Sequence, residues 1–155
     1  MSDALYLNRG ANASYDSTKT FNNLMGCLSD VVETMLKQQL RQSPFVGIGI
    51  DESTDRATEK HLDIIIRYIS RDGKCMMQFL DCVVIRDGKA MTVVDAVDVT
   101  MKKFCVPMTT VIGLGSDGSS VKASDIRGVN GMMKHRNPFL VFIHCVAHRL
   151  NVAVS

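Results

Sequence analysis

Two short segments of this chain share one pattern, and that pattern constrains the fold more than any other feature. Residues 47–51 read Gly-Ile-Gly-Ile-Asp, and residues 113–117 read Gly-Leu-Gly-Ser-Asp. Because side chains alternate between the two faces of a strand, each aspartate shares a face with the two glycines before it. The glycines form a floor without side chains, which usually marks the close approach of another backbone.

The order of apolar runs and turn residues predicts an α/β fold. Strands are expected at 45–51, 61–70, 75–85, 109–116 and 139–144, and helices at 21–42, 92–104, 124–134 and from Cys145 onward. Asp72-Gly73 favours a hairpin between the second and third strands, with a type I′ turn and positive φ at both residues. Three strands in a meander followed by two crossovers predict a five-stranded mixed sheet, order 3-2-1-4-5, with helices on both faces.

We expect three regions in the 155 residues: a flexible arm at 1–19, an amphipathic helix at 20–43 and a core at 44–155. The last helix stops without a capping residue, so the core is predicted to be the front part of something longer. No apolar run approaches 18 residues, which argues against a membrane-spanning helix, and the polar start of the chain does not resemble a signal peptide.

The distribution of charge and the cysteines indicate what kind of partner and which compartment suit this chain. Residues 1–117 carry 13 basic and 15 acidic side chains, whereas 118–155 carry five basic and one acidic. This basic C-terminal quarter suits a polyanion partner, and a solvated basic face is the alternative. The five cysteines are odd in number and contain no Cys-x-x-Cys pair, so we expect a reducing compartment and mostly buried thiols.

The two aspartates are the leading candidates for chemistry. If the first and fourth strands are parallel neighbours, Asp51 and Asp117 leave adjacent strand ends about 5 Å apart. Two carboxylates at that spacing repel one another unless a cation lies between them, and Mg²⁺ or Mn²⁺ prefers such oxygen ligands. The alternative is structural, because aspartate also ends strands and caps turns or helices.

Other motifs are weaker. Residues 113–118 match Gly-x-Gly-x-x-Gly, but the next strand ends in His144-Cys145 instead of an acidic residue, which argues against a dinucleotide site. Cys145 and His148 form half of a zinc motif whose other half is missing, so packing at a helix start is the preferred interpretation. Ser53, Ser119 and Ser120 lack the Gly-x-Ser-x-Gly elbow of a hydrolase.

Three segments together resemble one family. They are residues 49–55 (Gly-Ile-Asp-Glu-Ser-Thr-Asp), 115–120 (Gly-Ser-Asp-Gly-Ser-Ser) and 144–151 (His-Cys-Val-Ala-His-Arg-Leu-Asn). In this order they resemble the catalytic core of hAT-superfamily transposases, and in particular its domesticated, zinc-finger-protein-like relatives. The resemblance covers residues 20–155.

This resemblance implies an RNase H-like fold with a DDE-type metal site for DNA cleavage and strand transfer. Asp51 and Asp117 then correspond to the first two catalytic aspartates, and Cys145 with His148 to a Cys-x-x-His motif linked to DNA handling. The family's third carboxylate, a glutamate, lies downstream of this chain, and Glu52 does not replace it. The atypical residues 121–125 also place charges near the site.

We therefore expect a nuclear or cytoplasmic, non-secreted fragment of a domesticated transposase core that is inactive as given. Its metal would be Mg²⁺ or Mn²⁺, and its candidate DNA contacts are Lys122, Arg127, Lys134, Arg136 and Arg149. The alternative is a non-catalytic module that binds nucleic acid, or that binds a protein through helix 21–42. The sequence leaves the oligomeric state open.

Overall fold

The computed structural model describes residues 17–55, 58–117, 127–145 and 153–154. Its helices and strands are α1 Thr18–Leu40, β1 Val46–Thr54, β2 Lys60–Ile69, β3 Cys75–Ile85, α2 Ala90–Lys103, β4 Val111–Ser116, α3 Val129–Arg136 and β5 Val141–His144. A short 3-10 helix, Met108–Thr110, precedes β4. Most of the predicted N-terminal arm, and most of the helix predicted after Cys145, lie outside the described residues.

The five strands form one mixed sheet in the order β3-β2-β1-β4-β5. β1, β2 and β3 make the antiparallel meander, and β1 is parallel to β4, which is parallel to β5. The predicted sheet order is confirmed, and β3 has the predicted bounds. β1 continues three residues beyond Asp51, so the loop between β1 and β2 is shorter than the sequence indicated.

The β2–β3 hairpin is present, but its turn differs from the predicted type I′ turn. Gly73 has φ 78°, whereas Asp72 is not among the non-glycine residues with positive φ. The amide of Gly73 donates to the carbonyl of Ser70, and the amide of Ser70 donates to the carbonyl of Lys74. A type I turn followed by one left-handed residue has this pattern, and it needs glycine at a single position.

One face of the sheet is buried against helices. In β1, Val46, Ile48 and Ile50 point to this face and are nearly inaccessible to solvent. α2 packs on the same face and α3 packs beside α2. Burying one such valine or isoleucine side chain stabilises the fold by about 1.5–3 kcal/mol. The α2 residues that are buried here are Val93, Val94, Ala96, Val97, Thr100 and Met101.

The opposite face, which we call the open face, is uncovered among the described residues. Of the described helices, α2 and α3 share the covered face, and most of the helix predicted from Cys145 onward lies outside the described residues. Apolar side chains of β2, β3 and β5 remain exposed on this face: Ile65, Ile69, Met77, Phe79, Val84, Val141 and Ile143. Ile65 is 38% accessible and Phe79, directly opposite it, is 60% accessible.

The prediction of mostly buried cysteines is wrong. All five thiols are exposed and none forms a disulfide. Cys75 and Cys82 lie opposite Ile69 and Asp63 on the open face, which explains their exposure.

The chain divides into two compact units, Met1–Met35 and Leu36–Ser155. In the first unit, α1 carries an exposed apolar stripe made of Phe21, Leu24, Met25, Leu28, Val31, Val32 and Met35. In the second, Leu36 and Leu40 are buried, and the Tyr68 hydroxyl donates a hydrogen bond to the side-chain oxygen of Gln39. Burial raises the pKa of Tyr68 above its ordinary value. None of the described helices is both long and apolar enough to cross a bilayer.

Candidate functional site

Asp51 and Asp117 follow matched positions of the two central strands. Gly47 pairs with Gly113 and Gly49 pairs with Gly115, so the predicted parallel alignment of β1 and β4 is confirmed. Continuing this register by two residues would set Asp117, which directly follows β4, beside Asp51, which lies within β1 because that strand continues to Thr54. Asp51 is exposed and its Oδ1 accepts a hydrogen bond from the amide of Glu52 at 3.0 Å, whereas Asp117 is half-buried.

The glycine floor below these aspartates belongs to the open face. A Cβ placed on Gly47 or Gly113 would meet only the facing glycine, at 3.8 Å and 3.6 Å respectively. A Cβ on Gly49 would lie 2.7 Å from Cγ1 of Ile65, its partner on β2. The Ile65 side chain, and not a crossing backbone segment, therefore occupies the space above Gly49 in the described part of the chain.

A third carboxylate, which the sequence interpretation missed, faces Asp51. Asp63 on β2 is the direct antiparallel partner of Asp51. Its Oδ2 accepts a hydrogen bond from the Ser53 hydroxyl at 3.3 Å. Residues directly opposite on one face have Cβ atoms about 4.5–5.5 Å apart, and like charges there destabilise the pair. Among the described residues, neither Asp51 nor Asp63 forms an ion pair with a lysine or arginine.

Cys82 links Asp63 to a neighbouring histidine. The pKa of the Cys82 thiol is raised above its ordinary value, chiefly by its hydrogen bond to Asp63, with burial and the charges of Asp63 and Asp81 adding to the effect. The Cys82 sulfur also lies 3.7 Å from Nδ1 of His61, which precedes Asp63 on the same face. Asp51, Asp63 and His61 thus share the polar end of the open face.

A further cluster occupies the β1–β2 connection. Single ligand atoms of Asp55, Glu59 and His61 all lie within 4.8 Å of one another. Asp55 Oδ2 is 3.7 Å from His61 Nε2, and Asp55 Oδ1 accepts a hydrogen bond from the Glu59 amide at 2.9 Å. Sequence reasoning treated residues 52–60 as a plain loop. The sequence pattern that could have indicated this cluster is the presence of an aspartate, a glutamate and a histidine within the seven residues 55–61.

Glu52 points away from these groups. It pairs with the buried Leu62, so its side chain lies on the helix-covered face. A Cβ on Gly88 would lie 2.6 Å from Oε2 of Glu52 and 3.4 Å from Nζ of Lys60, which places the glutamate against the segment that leads into α2. The expectation that Glu52 does not complete the aspartate pair agrees with this position.

The candidate DNA contacts are only partly described. Lys122 and Arg149 lie outside the described residues. Arg127, just before α3, and Lys134, within it, are exposed. Arg136 forms an ion pair with Asp98 of α2 and so joins the two helices. Lys134 and Arg136 therefore belong to the helix layer, whereas Asp51 faces the other side of the sheet.

Cys145 reaches the same sheet edge as Asp117. The last pair of the β4–β5 ladder joins Ser116 and His144, and the Cys145 amide donates to the Ser116 carbonyl at 2.7 Å. The Cys145 thiol is exposed. His148, the other half of the Cys-x-x-His motif, lies outside the described residues.

The sheet order, with an antiparallel meander joined to two parallel strands and helices on the covered face, defines an RNase-like α/β domain. Residues 1–128 match the model of the DUF4371 family, described as the ZMYM1/FAM200 RNase-like domain. The chain belongs to this family.

Among solved structures, the catalytic domain of human endonuclease V resembles the chain at 12% identity and a TM-score of 0.35. The match covers 90% of this chain and 68% of that one. A likeness this distant assigns neither a residue nor an activity to the chain.

Proposed function

We propose that this chain is a nucleic-acid-binding domain derived from an hAT-type transposase core, with a divalent-cation site formed by Asp51, Asp117 and Asp63. The observation that carries the proposal is the parallel pairing of β1 with β4, which aligns the glycines of the two Gly-x-Gly-x-Asp segments. Asp63 adds a carboxylate from the neighbouring strand. Membership of the RNase-like family supports this assignment.

The residues fit a hard divalent cation. Carboxylate oxygens are the ligands that Mg²⁺ and Mn²⁺ prefer, and these ions retain several waters when one to three carboxylates hold them. Asp51 and Asp63 face one another without a lysine or arginine partner among the described residues, and each accepts a hydrogen bond, from the Glu52 amide and the Ser53 hydroxyl respectively. Bound Mg²⁺ or Mn²⁺ would supply the positive charge that both these carboxylates and a nucleic-acid phosphate attract.

The protein groups around the site have separate tasks. Asp51 lies within β1 and Asp117 directly follows β4; Gly47 and Gly113 leave space on the open face, whereas Ile65 covers Gly49. Ser53 holds the Asp63 carboxylate by a hydrogen bond. Two-metal phosphoryl transfer needs ligands for a second ion, and Glu52 lies on the wrong face to help. We therefore expect cation-dependent nucleic-acid binding with little or no strand cleavage.

The basic C-terminal quarter would add further phosphate contacts, of which the described Lys134 would act from the helix layer, away from Asp51. Each neutralised phosphate releases a counterion, so the affinity is expected to fall steeply with salt. Such a domain would act in the nucleus, where its DNA is found.

A gel-shift and nicking assay with supercoiled plasmid tests this function. The wild-type chain is compared with Asp117→Asn in the presence of Mn²⁺, Mg²⁺ or EDTA. Asp95→Asn is the matched control, because Asp95 is an exposed aspartate on α2, in the helix layer. We expect a plasmid shift that requires the divalent ion, is weakened by Asp117→Asn and is unchanged by Asp95→Asn. Nicking that Asp117→Asn abolishes would instead reveal a working nuclease site.

A second candidate function is a protein-binding scaffold module. The exposed stripe on α1 favours it, since a contiguous apolar surface of this kind commonly marks an interaction site. The same assay separates the two candidates. A chain that shifts plasmid equally well in EDTA, or does not shift it at all, contradicts the cation-dependent function and favours the scaffold.

A further inference from the structure

The strongest feature outside the Asp51–Asp117 pair is the cluster of Asp55, Glu59 and His61. It combines two carboxylates and an imidazole, and one ligand atom from each converges within 4.8 Å. Asp55 directly follows β1 and His61 is the second residue of β2, so two neighbouring strands fix two of the three positions. The Asp55 amide donates a hydrogen bond to the Glu59 carbonyl at 3.0 Å, and the Glu59 amide donates one to the Asp55 carboxylate.

The orientation of the His61 ring is set from its other side. Nδ1 lies 3.7 Å from the Cys82 sulfur, while Nε2 faces Asp55 Oδ2 at 3.7 Å. The Cys82 sulfur thus contacts Nδ1, and Nε2 is the ring nitrogen that faces the acidic pair. A neutral histidine whose Nδ1 carries the proton presents the lone pair of Nε2. Histidines that bind metals usually have their second ring nitrogen held in this way.

Nε2 of His61 and Oδ2 of Asp55 face one another at 3.7 Å, close to the separation of two ligands on one ion. Two ligand atoms bound to a tetrahedral ion at about 2.0–2.1 Å lie about 3.3 Å apart. The 3.7 Å between Nε2 and Oδ2 exceeds this separation by about 0.4 Å, which a small side-chain rotation removes. Asp55 and Glu59 are exposed and His61 is partly exposed, so an ion can enter from solvent.

We propose that Asp55, Glu59 and His61 form a site for a transition-metal ion such as Zn²⁺, distinct from the all-carboxylate site at Asp51 and Asp117. Imidazole favours Zn²⁺ and its neighbours in the first transition row, whereas Mg²⁺ prefers oxygen ligands alone. Two carboxylates balance the double positive charge. Three protein ligands leave a fourth position for water, and the bound ion fastens the β1–β2 connection at the polar end of the open face.

The site is independent of the proposed nucleic-acid function, because its ligands do not include Asp51 or Asp117. The test is a titration of the full chain with Co²⁺, followed by visible absorption, and a competition titration with Zn²⁺ and a chromophoric chelator. His61→Gln and Glu59→Gln each remove one ligand. His135→Gln is the matched control, since His135 is an exposed histidine on α3. Asp51→Asn and Cys145→Ser report on the two other candidate metal sites.

We expect one equivalent of Co²⁺ or Zn²⁺ to bind per chain. No sulfur-to-cobalt charge-transfer band should appear, because the Cys82 sulfur contacts Nδ1 of His61 and is not a ligand. His61→Gln and Glu59→Gln weaken binding by more than tenfold, and His135→Gln, Asp51→Asn and Cys145→Ser leave it unchanged. Cys82→Ala weakens it by about tenfold, since losing the partner of a ligating histidine typically costs about 10–100-fold.

Three results would overturn the proposal. The first is wild-type binding no tighter than that of His61→Gln. The second is loss of binding in Cys145→Ser but not in His61→Gln, which would assign the ion to the Cys-x-x-His motif. The third is a thiolate charge-transfer band. Glu59 is an exposed loop residue, so Glu59→Gln keeps the test valid even if His61→Gln unfolds the chain.

Discussion

Replacing Asp51 by asparagine should make the metal-free protein more stable and the metal-bound protein less stable. Asparagine keeps an oxygen for the hydrogen bond from the Glu52 amide and removes the charge that faces Asp63. The sign of the effect therefore depends on whether a divalent cation is present, which distinguishes a cation site from an ordinary strand-end aspartate.

The magnitude follows from the cross-strand geometry. Two unit charges about 5 Å apart in water repel by about 0.8 kcal/mol. At physiological ionic strength, with a Debye length of about 8 Å, screening leaves about 0.4 kcal/mol. For a chain of this length that corresponds to a Tm about 1–2 °C higher for Asp51→Asn in EDTA.

A bound cation reverses the order of the two melting temperatures. If Mg²⁺ binds with a Kd of about 1 mM, about 10 mM Mg²⁺ stabilises the wild-type chain by about 1.4 kcal/mol. The wild-type Tm then rises by about 3–6 °C, whereas that of Asp51→Asn hardly changes. Thermal melts followed by circular dichroism, in EDTA and in Mg²⁺, measure both effects, and Asp95→Asn should show the wild-type response to Mg²⁺. An Asp51→Asn variant that melts below wild type in EDTA, or keeps the full Mg²⁺ shift, refutes the reasoning.

Three other predictions follow from local contacts. Asn137→Ala should lower the free energy of unfolding by about 2 kcal/mol in urea titrations, because its buried amide donates to the Val111 carbonyl at 2.9 Å and would leave that group unsatisfied; an unchanged midpoint contradicts this. Gly73→Ala should cost about 1–2 kcal/mol because φ is 78°, while Gly26→Ala, in open space on α1, should be neutral or stabilising. The Asp87 carboxyl, whose pKa is lowered chiefly by the Thr92 hydroxyl, should titrate at a higher pH in Thr92→Val. Because the pKa of Asp87 is depressed in the folded state, the interaction with Thr92 stabilises the fold above the unfolded-state pKa, and this stabilisation is lost as the pH falls through the folded-state pKa. Carboxyl NMR titration measures the pKa of Asp87 in both proteins.

The central sheet could be predicted because its signals are local. The repeated Gly-x-Gly-x-Asp pattern indicates that β1 and β4 are neighbours and the Asp-Gly turn joins β2 to β3, and the structure pairs these strands as expected, although β1 runs past the predicted end at Asp51. The turn type was wrong because one glycine serves a type I turn with a bulge as well as it serves a type I′ turn.

The third carboxylate could not be predicted in the same way. Asp63 faces Asp51 only because β1 extends to Thr54 and β2 begins at Lys60, and this register depends on a loop that sequence patterns do not fix. The same register brings His61 to the cluster at the end of β1.

The exposure of Cys75, of Cys82 and of the open face has one cause. Apolar residues such as Phe79 and Ile65 predict burial, and the sequence pattern does not say that the described helices cover only one side of the sheet. Cys82 lies on this face opposite Asp63 and is exposed, contrary to the prediction of mostly buried thiols.

The most direct test of the central claim is a Mg²⁺ titration of the carboxyl ¹³C signals of the aspartates. The account predicts that Asp51, Asp63 and Asp117 shift together with one affinity, and that Asp117→Asn removes the response of the other two. Mg²⁺ has little affinity for an imidazole-containing site, so Asp55 and Glu59 should respond weakly. Absence of any shift at Asp51 and Asp117 up to several millimolar Mg²⁺ would contradict the account.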